Sequence, residues 1–327
     1  VLMGTAGQFD SLAETLESVD AASPRLVSEL RREAVPNDEA RLPSGSDSDS
    51  DPGGGRPWAE GIAVMGILNV TPDSFYDGGR YEDVDDAVAR AERLIEAGAD
   101  IVDVGGESTR PGADPVPADE EIDRVVPVIE ALSETDAVVS VDTRKAAVAR
   151  AALEAGADIL NDVSGLEDPE MRLVAADYDV PVVVMHSINA PVDPDAEIDY
   201  DDVVRETIDA LAERVLLAEK AGLDRSQIVV DPGIGFGKSA TESFELLDRL
   251  EEFRSIGCPV LVGHSRKSMF GLVGADRSEE RLAATVAASA LAVERGADIV
   301  RVHDVAENVA AVKTAAATGD PDRFDGE

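Results

Sequence analysis

The sequence predicts an α/β protein built as a (β/α)₈ TIM barrel with a disordered N-terminal extension. Two features of the chain predict the barrel. Eight short apolar runs lie between residues 62 and 303, and each is followed by an amphipathic segment long enough for a helix. Strands that alternate with helices form a parallel sheet, and eight such units fit a closed barrel of roughly 250 residues. An open doubly wound sheet is the alternative, but it usually has fewer strands, and no Gly-x-Gly-x-x-Gly follows the first run.

A repeated hexapeptide marks three junctions between a helix and the next strand. Glu-Ala-Gly-Ala-Asp-Ile occurs at 96–101 and 154–159, and Glu-Arg-Gly-Ala-Asp-Ile occurs at 294–299. The glycine of each copy can take the left-handed conformation that closes a helix, and the β-branched run behind it begins a buried strand. We therefore expect strands near 62–68, 100–105, 137–142, 158–163, 181–186, 227–231, 259–263 and 298–303.

Composition divides the chain into four regions. Residues 43–56 are small or charged and cannot offset the entropy of ordering, so we expect a flexible acidic linker over 43–57. Residues 1–42 form an N-terminal extension. Because the chain opens on Val1 rather than Met, we expect this extension to be the end of an upstream domain; a disordered extension is the alternative. The barrel is expected over 58–318, and a C-terminal tail over 319–327.

The charge balance excludes several classes of partner. The chain has 29 Lys and Arg against 68 Asp and Glu, which gives a net charge of −39. Nucleic acid and anionic membranes are therefore unsuitable partners. The acidic residues are spread along the whole chain, which favours adaptation to high salt, where their mutual repulsion is screened. Since no stretch approaches the roughly 18 apolar residues of a membrane span, we expect a cytoplasmic protein.

The cysteine and histidine content indicates neither a disulfide nor a zinc site. Cys258 is the only cysteine, which excludes an internal disulfide, and no Cys/His spacing suggests zinc. We expect Cys258 to be a small buried residue.

Polar residues end all eight apolar runs. In a (β/α)₈ barrel the active site lies at the carboxyl ends of the strands, so these residues are expected to meet. One group could hold an anion such as a phosphate, and it comprises Arg110, Arg266, Lys267, Arg301 and His303. A second group offers hydrogen-bond partners for a flat heterocycle, and it comprises Asp142, Asn161 and Asp231. Together they predict recognition of a polar ring that carries a phosphorylated arm. A turn or helix-cap role explains any one of them, such as Asp142 or Asp162, but not the whole set.

The loop after the sixth run, at 231–238, is rich in glycine. It is not a Walker motif, because the Gly-x-x-x-x-Gly-Lys-Ser/Thr spacing is absent. Three glycines let the backbone pass close to a ligand, and Phe236 could present its face to another ring. A strained loop with a core phenylalanine is the alternative.

The motifs at the strand ends resemble those of dihydropteroate synthases, from about Ile62 to Lys313. They are Gly66-Ile67-Leu68-Asn69-Val70-Thr71-Pro72-Asp73-Ser74-Phe75, Gly105-Gly106-Glu107-Ser108-Thr109-Arg110-Pro111-Gly112, Ser140-Val141-Asp142-Thr143, Ile159-Leu160-Asn161-Asp162, Asp231-Pro232-Gly233 through Lys238, Ser265-Arg266-Lys267-Ser268 and Arg301-Val302-His303-Asp304-Val305. Their order and spacing agree along the barrel, which makes the resemblance specific. It implies a transferase of folate biosynthesis that joins a dihydropterin diphosphate to 4-aminobenzoate.

The resemblance also implies roles for single residues. The pterin would be held by Asp142, Asn161, Met185, Asp231 and Lys267. The diphosphate would be bound by Asn69, Arg301 and His303, with Asn69 also a ligand of Mg²⁺. The 4-aminobenzoate side would be formed by Thr109, Arg110, Pro111, Phe236 and Ser268. Asp142, Lys267, Arg301 and His303 would act on the reacting groups, the chain would be a homodimer, and it could be fused to an upstream folate-pathway domain.

Two other functions share these features in part. A pterin-dependent methyltransferase has the same barrel and pterin pocket, but it would not need the Ser-Thr-Arg-Pro-Gly loop or the Arg-Val-His diphosphate site. A non-catalytic pterin-binding domain of a larger fused protein is the second alternative, although Asn69, Lys267 and Arg301 are all retained.

The sequence departs from the family after the fifth run. Where Met-His-Met-Gln-Gly is usual, this chain has Met185-His186-Ser187-Ile188-Asn189, followed by an acidic segment over 193–202. His186 is thus either a site residue or a structural residue at a strand end. We interpret His264 as a packing change rather than a catalyst.

A chain that starts at Pro57 should fold and keep the activity of the full chain, because the linker composition cannot support packed structure. Circular dichroism and pyrophosphate release, both measured in high salt, check this. An insoluble or inactive product, beside a full chain that works, would show that residues 1–56 belong to the domain.

Overall fold

Eight strands form one parallel sheet in the computed structural model, which describes residues 56–71, 80–108, 115–187 and 200–321. The strands are Ala63–Asn69 (β1), Ile101–Gly105 (β2), Val138–Asp142 (β3), Ile159–Asp162 (β4), Val182–Met185 (β5), Ile228–Asp231 (β6), Leu261–Val262 (β7) and Ile299–Val302 (β8). Each lies within a residue or two of its predicted position, so the TIM barrel expected from the sequence is confirmed. The expected extension and most of the expected linker lie outside the described residues.

Helices follow the strands and cover the outside of the sheet. They are Pro57–Glu60 (α1), Arg80–Glu96 (α2), Ala118–Leu132 (α3), Ala146–Glu154 (α4), Met171–Tyr178 (α5), Val203–Ala221 (α6), Ala240–Asp248 (α7), Leu282–Glu294 (α8) and Val305–Gly319 (α9). Short 3₁₀ segments lie at Arg225–Gln227, Leu250–Ile256, Ser268–Val273 and Ser278–Glu280. In the part of the chain that the structure describes, no helix has the length and apolar character needed to cross a bilayer.

The sheet closes on itself between β6 and β7. Its hydrogen-bonded order is β6-β5-β4-β3-β2-β1-β8-β7, so β6 and β7 are the two ends. A single parallel bridge between Val230 and Val260 joins these ends, and the Val230 N–H donates to the Pro259 carbonyl at 2.9 Å. The barrel is therefore closed, with much weaker pairing at this edge than elsewhere.

The amino-terminal half of the barrel interior is apolar. Side chains of alternate residues along a strand point to the same face, so each strand contributes every second residue to the interior. The apolar layer consists of Met65, Ile101, Ile159, Val183, Val229, Leu261 and Ile299, all nearly inaccessible to solvent. Trp58 of α1 packs against the same layer and is 7% exposed. This end of the barrel is thereby filled with side chains, which leaves the carboxyl end for polar chemistry.

The repeated hexapeptide forms the same structure in all three copies. Its glycines have left-handed φ angles of 97°, 105° and 89° at positions 98, 156 and 296, as the sequence predicts. The aspartate that follows pairs with the strand before it through both its backbone and its side chain. Asp158 Oδ2 accepts the Val139 N–H at 2.8 Å, while the Asp158 N–H donates to the Val139 carbonyl at 2.8 Å. Asp100 and Asp298 make the same two bonds with Val64 and Val260, respectively.

Asp158→Ala should lower the free energy of unfolding by about 1 to 2 kcal/mol, because the Val139 N–H loses its carboxylate acceptor. Urea denaturation followed by circular dichroism at fixed KCl measures this loss. Asp209→Ala, which removes an exposed carboxylate on α6, is the matched control and should change stability much less. Equal losses in the two variants would show that the paired aspartate adds nothing beyond its charge.

Candidate active site

A polar layer lies two residues further along the strands than the apolar layer. Because alternate residues share a face, Ile101 leads to Asp103, Ile159 to Asn161, Val229 to Asp231 and Ile299 to Arg301. Asp103, Asn161 and Asp231 are buried, with exposures of 0%, 3% and 6%. The strand register thus gathers charged groups at one depth inside the carboxyl end of the barrel.

Arg301 ties this layer together. Its Nε donates to Asp103 Oδ2 at 2.6 Å, and its guanidinium also donates to Asp142 Oδ2 at 2.6 Å. Asn161 donates from Nδ2 to the same Asp103 oxygen at 3.0 Å. Residues on four strands (β2, β3, β4 and β8) are therefore joined by one arginine. Among the described residues, the second carboxylate oxygens of Asp103 and Asp142 have no hydrogen-bond partner.

Burial shifts the ionisation of the acids and of a nearby lysine. Burial raises the pKa of Asp142 to about 7, against the opposing charge of Arg301 and with a further increase from Asp103. Burial also raises the pKa of Asp231, although Lys267 opposes the shift. Burial lowers the pKa of Lys267 to about 8, although the negative charge of Asp231 acts to raise it. The charges of this layer are consequently interdependent, which is common where groups act on a substrate.

The glycine-rich loop after β6 lies beside this layer. Asp231 Oδ1 accepts the Gly233 N–H at 2.8 Å, so the carboxylate is fixed by the loop that follows it. Lys267 donates to the Ile234 carbonyl, and its Nζ lies 4.4 Å from the centroid of the Phe236 ring. The Phe236 ring is partly exposed beside the Lys267 ammonium and is not a core residue.

His186 and Lys238 meet underneath this loop. Lys238 Nζ lies 2.9 Å from His186 Nδ1. Burial and, to a smaller extent, the charge of Lys238 together lower the pKa of His186 to about 3, so the ring is neutral. This contact lies at the strand end, and the site role that the sequence also left open stays a prediction.

The remaining predicted residues lie at the rim. Asn69 ends β1 and borders Gly105, as Asp142 does. A methyl group built on Gly105 would lie 3.9 Å from Asn69 Oδ1 and 3.5 Å from Asp142 Cβ. His303 follows β8, is exposed, and has Nδ1 3.0 Å from Ser265 Oγ. Ser268 is exposed at the start of a 3₁₀ segment, and Met185, at the end of β5, is 4% exposed. Thr109, Arg110 and Pro111 lie outside the described residues.

Glu107 precedes the segment that contains those three residues and accepts a hydrogen bond from Val116, which follows it. Its Oε1 accepts the Val116 N–H at 2.7 Å, and its Oε2 accepts from Arg144 Nε at 2.7 Å. Although burial acts in the opposite direction, Arg144 and the Val116 N–H keep the pKa of Glu107 below its usual value.

Three polar residues near the mouth have structural partners. The Arg266 guanidinium donates to Asp304 at 2.7 and 2.8 Å, so this predicted anion-binding residue has an acidic partner within the protein. His264 is fully buried against the Thr285 carbonyl and Ser289, and burial lowers its pKa to about 4. Asp162 accepts the N–H groups of Ser164 and Leu166, which is the turn role considered from the sequence.

Asp103 is a site residue that the sequence analysis did not select. It lies in the middle of the run Ile101-Val102-Asp103-Val104-Gly105 rather than after it. The available signal was the charge itself, since an ionised side chain inside a buried strand requires a partner. That partner, Arg301, is 198 residues away in the chain.

Comparisons with known proteins agree with this geometry. A family model for pterin binding enzymes matches residues 65–303. A probable bifunctional folylpolyglutamate synthase/dihydropteroate synthase of Haloferax volcanii is 60% identical over 334 residues, covering 100% of this chain and 39% of that protein. The dihydropteroate synthase of Bacillus subtilis is 48% identical over 250 residues, covering 76% of this chain and 85% of that protein.

Solved structures with this fold are also similar. Dihydropteroate synthase of Xanthomonas albilineans with 4-aminobenzoic acid has a TM-score of 0.74 and 48% identity, and the match covers 80% of this chain and 94% of that one. A Yersinia pestis dihydropteroate synthase in a sulfonamide complex has a TM-score of 0.75 and 42% identity, covering 80% and 95%.

Arg301→Met should lower the free energy of unfolding by about 3 to 5 kcal/mol, because two buried carboxylates lose their shared cation. Urea denaturation at fixed KCl measures this, and Asp103→Asn in the same chain should restore part of the loss. Arg295→Met, which breaks a pair with Asp248 on the protein surface, is the control and should cost less than about 1 kcal/mol. A similar loss at the two arginines would contradict the central place of Arg301.

Proposed function

We propose an activity for a chain that belongs to the dihydropteroate synthase family of pterin binding enzymes: it joins a dihydropterin diphosphate to 4-aminobenzoate and releases pyrophosphate. The observation that carries this proposal is the buried polar layer at the carboxyl end of the barrel. Asp142, Asn161, Asp231 and Arg301, which the family resemblance assigns to substrate, all lie there. A pterin-dependent methyltransferase would share this layer. Arylamine transfer is favoured over it by the Ser-Thr-Arg-Pro-Gly loop, by Arg301 and His303, and by relatives named dihydropteroate synthase.

The layer suits a pterin ring chemically. The ring presents amino and ring N–H donors, and a carboxylate can accept two hydrogen bonds from such a pair. Asp142 keeps one oxygen without a partner among the described residues, and Asp231 is held in place by the Gly233 N–H. Both acids thus serve as fixed acceptors, with the apolar layer beneath them excluding water.

The reaction breaks the bond between the pterin methylene carbon and the diphosphate oxygen, and the electron pair leaves with pyrophosphate. Arg301 and His303 would stabilise that leaving group, while the charge of Asp142 would face the positive charge developing on the pterin. The arylamine nitrogen then forms the new bond to the methylene carbon and gives up a proton. An arylamine is already a free nucleophile at neutral pH, so no covalent intermediate is needed. Cys258, whose pKa burial raises to about 12, is unsuited to forming one.

Magnesium fits this site as a partner of the diphosphate. Among the described residues, no group of three or more His, Cys, Asp or Glu side chains could hold a metal ion. Mg²⁺ commonly binds through one or two protein oxygens together with substrate phosphates. Asn69, whose amide oxygen lies at the rim near Asp142, could provide the protein oxygen. When bound, the ion would supply Lewis-acid stabilisation of the leaving group.

Two of the similar proteins are much longer than this chain. The chain spans 39% and 38% of two relatives named as probable bifunctional folylpolyglutamate synthase/dihydropteroate synthases, from Haloferax volcanii and Halobacterium salinarum. We propose that it is the dihydropteroate synthase part of a protein of that kind. The net charge of −39 and these haloarchaeal relatives support adaptation to high salt. Homodimer formation and a cytoplasmic location remain predictions from the sequence.

One assay tests the proposed function. The chain in high salt with Mg²⁺, the dihydropterin diphosphate and 4-aminobenzoate should form dihydropteroate and pyrophosphate in equal amounts. Binding of the pterin without turnover, under conditions where a known dihydropteroate synthase works, would instead show a non-catalytic pterin-binding domain.

The two acids should respond differently to replacement by asparagine. Asp231→Asn should weaken binding of a bare pterin and of the pterin diphosphate alike, because it removes one acceptor for the ring. Asp142→Asn should lower kcat by more than it raises the pterin Kd, because an interaction that strengthens in the transition state appears in turnover. Calorimetric pterin binding and saturated turnover measure the two effects. Normal turnover of the Asp142 variant at saturation would reduce that residue to a binding contact.

A further inference from the structure

Lys238 is a half-buried cation at the end of the glycine-rich loop, and the function proposed above gives it no role. Its Nζ is surrounded by acceptors from two segments of the chain. It donates to the carbonyls of Phe236 at 3.0 Å and Gly233 at 3.1 Å, and it contacts His186 Nδ1 at 2.9 Å and the His186 carbonyl at 3.3 Å. The ammonium therefore binds both ends of the turn that presents Phe236 and joins that turn to the end of β5.

The backbone of the loop can reach this arrangement only with glycine at the closest contact. Gly233 has φ of 67°, and a methyl group built on it would lie 2.0 Å from the His186 carbonyl oxygen. Two carbonyl-bearing segments therefore approach each other without a side chain between them. The Gly233 and His186 carbonyl oxygens lie close together away from solvent and need a shared hydrogen-bond donor, which is the Lys238 ammonium.

A second lysine holds the same loop from the other side. Lys267 donates to the Ile234 carbonyl and lies 4.4 Å from the centre of the Phe236 ring. The carbonyls of Gly233, Ile234 and Phe236 are thus each bound by an ammonium group.

We propose that Lys238 is a positioning residue for the arylamine: it fixes the glycine-rich loop so that Phe236 presents its ring to the aromatic amine. This rests on the proposed function, in which Phe236 lies on the 4-aminobenzoate side. Among the described residues, the hydrogen bonds of Lys238 go to the loop backbone and to His186, and none goes to Asp142, Asn161 or Arg301.

The shape of the donor explains why this position carries lysine in a chain where most cations are arginine. An ammonium is compact and has three donors that can point to acceptors arranged around it. The planar fork of arginine instead directs its donors into one plane, and it would not fit among the carbonyls of Gly233 and Phe236 and the His186 ring.

Lys238→Ala provides the test, because it leaves a hole that a small ammonium ion can fill. The KM for 4-aminobenzoate should rise roughly tenfold or more, as expected for loss of charged hydrogen bonds, while the Kd for the pterin diphosphate changes less than about twofold. Replacing part of the KCl with methylammonium chloride at constant ionic strength should lower that KM again. Lys238→Met, which fills the space without donors, should show the same defect with no rescue.

Lys313→Ala is the matched control, since it removes an exposed lysine on α9 and should leave both constants and the methylammonium response unchanged. The proposal is overturned if pterin and arylamine binding weaken together in Lys238→Ala, or if methylammonium has no effect on a variant that is folded by circular dichroism. If the unmodified chain shows no turnover, the proposed function fails separately. Calorimetric binding of 4-aminobenzoate then decides on Lys238, and equal affinities in the variant and the parent chain would refute its role.

Discussion

The bonding of Arg301 to Asp103 and Asp142 is the interaction on which the barrel mouth depends. Both contacts are 2.6 Å long, and both acids are almost inaccessible to solvent. Two buried carboxylates that bond to one guanidinium depend on that shared cation, because desolvation and mutual repulsion both oppose their ionised forms. Asn161 is oriented by the same Asp103 oxygen. Two of the residues proposed to bind the pterin, Asp142 and Asn161, are therefore set in position directly or indirectly by one residue of the last strand.

Much of this arrangement could be predicted from the sequence because it follows from period and position. The strands were found from apolar runs, the helix ends from Gly98, Gly156 and Gly296, and Asp142 and Asp231 from their places at strand ends. Contacts between distant segments gave no such signal. The role of Asp103 depends on Arg301 of β8, which is distant in the chain. Likewise, His186 and Lys238 are in contact although 52 residues separate them in the sequence. Arg266 belongs to a basic sequence motif, but its partner Asp304 is 38 residues away in the chain, so only the three-dimensional structure reveals the pair.

The choice between lysine and arginine also has a structural reason. The chain contains 29 basic residues against 68 acidic ones, and most of the basic residues are arginine. Three of its lysines (Lys145, Lys238 and Lys267) lie at the carboxyl end of the barrel with acceptors around each ammonium. Arginine is used instead where two planar carboxylate contacts are needed, as at Arg301 and Arg266. At Lys145 and Lys238 a compact donor serves acceptors from more than one segment of the chain.

The weak edge of the barrel gives the two halves of the pocket unequal freedom. β6 and β7 are joined by the single bridge between Val230 and Val260, whereas β1, β2 and β3 pair along their full lengths. Phe236 follows β6 and Lys267 follows β7, so these two residues lie on opposite sides of that seam. Thermal breathing is greatest where backbone hydrogen bonds are fewest. Local opening at this edge would act on the contact between Phe236 and Lys267, while Asp142 and Asn161 lie on strands that are paired on both sides.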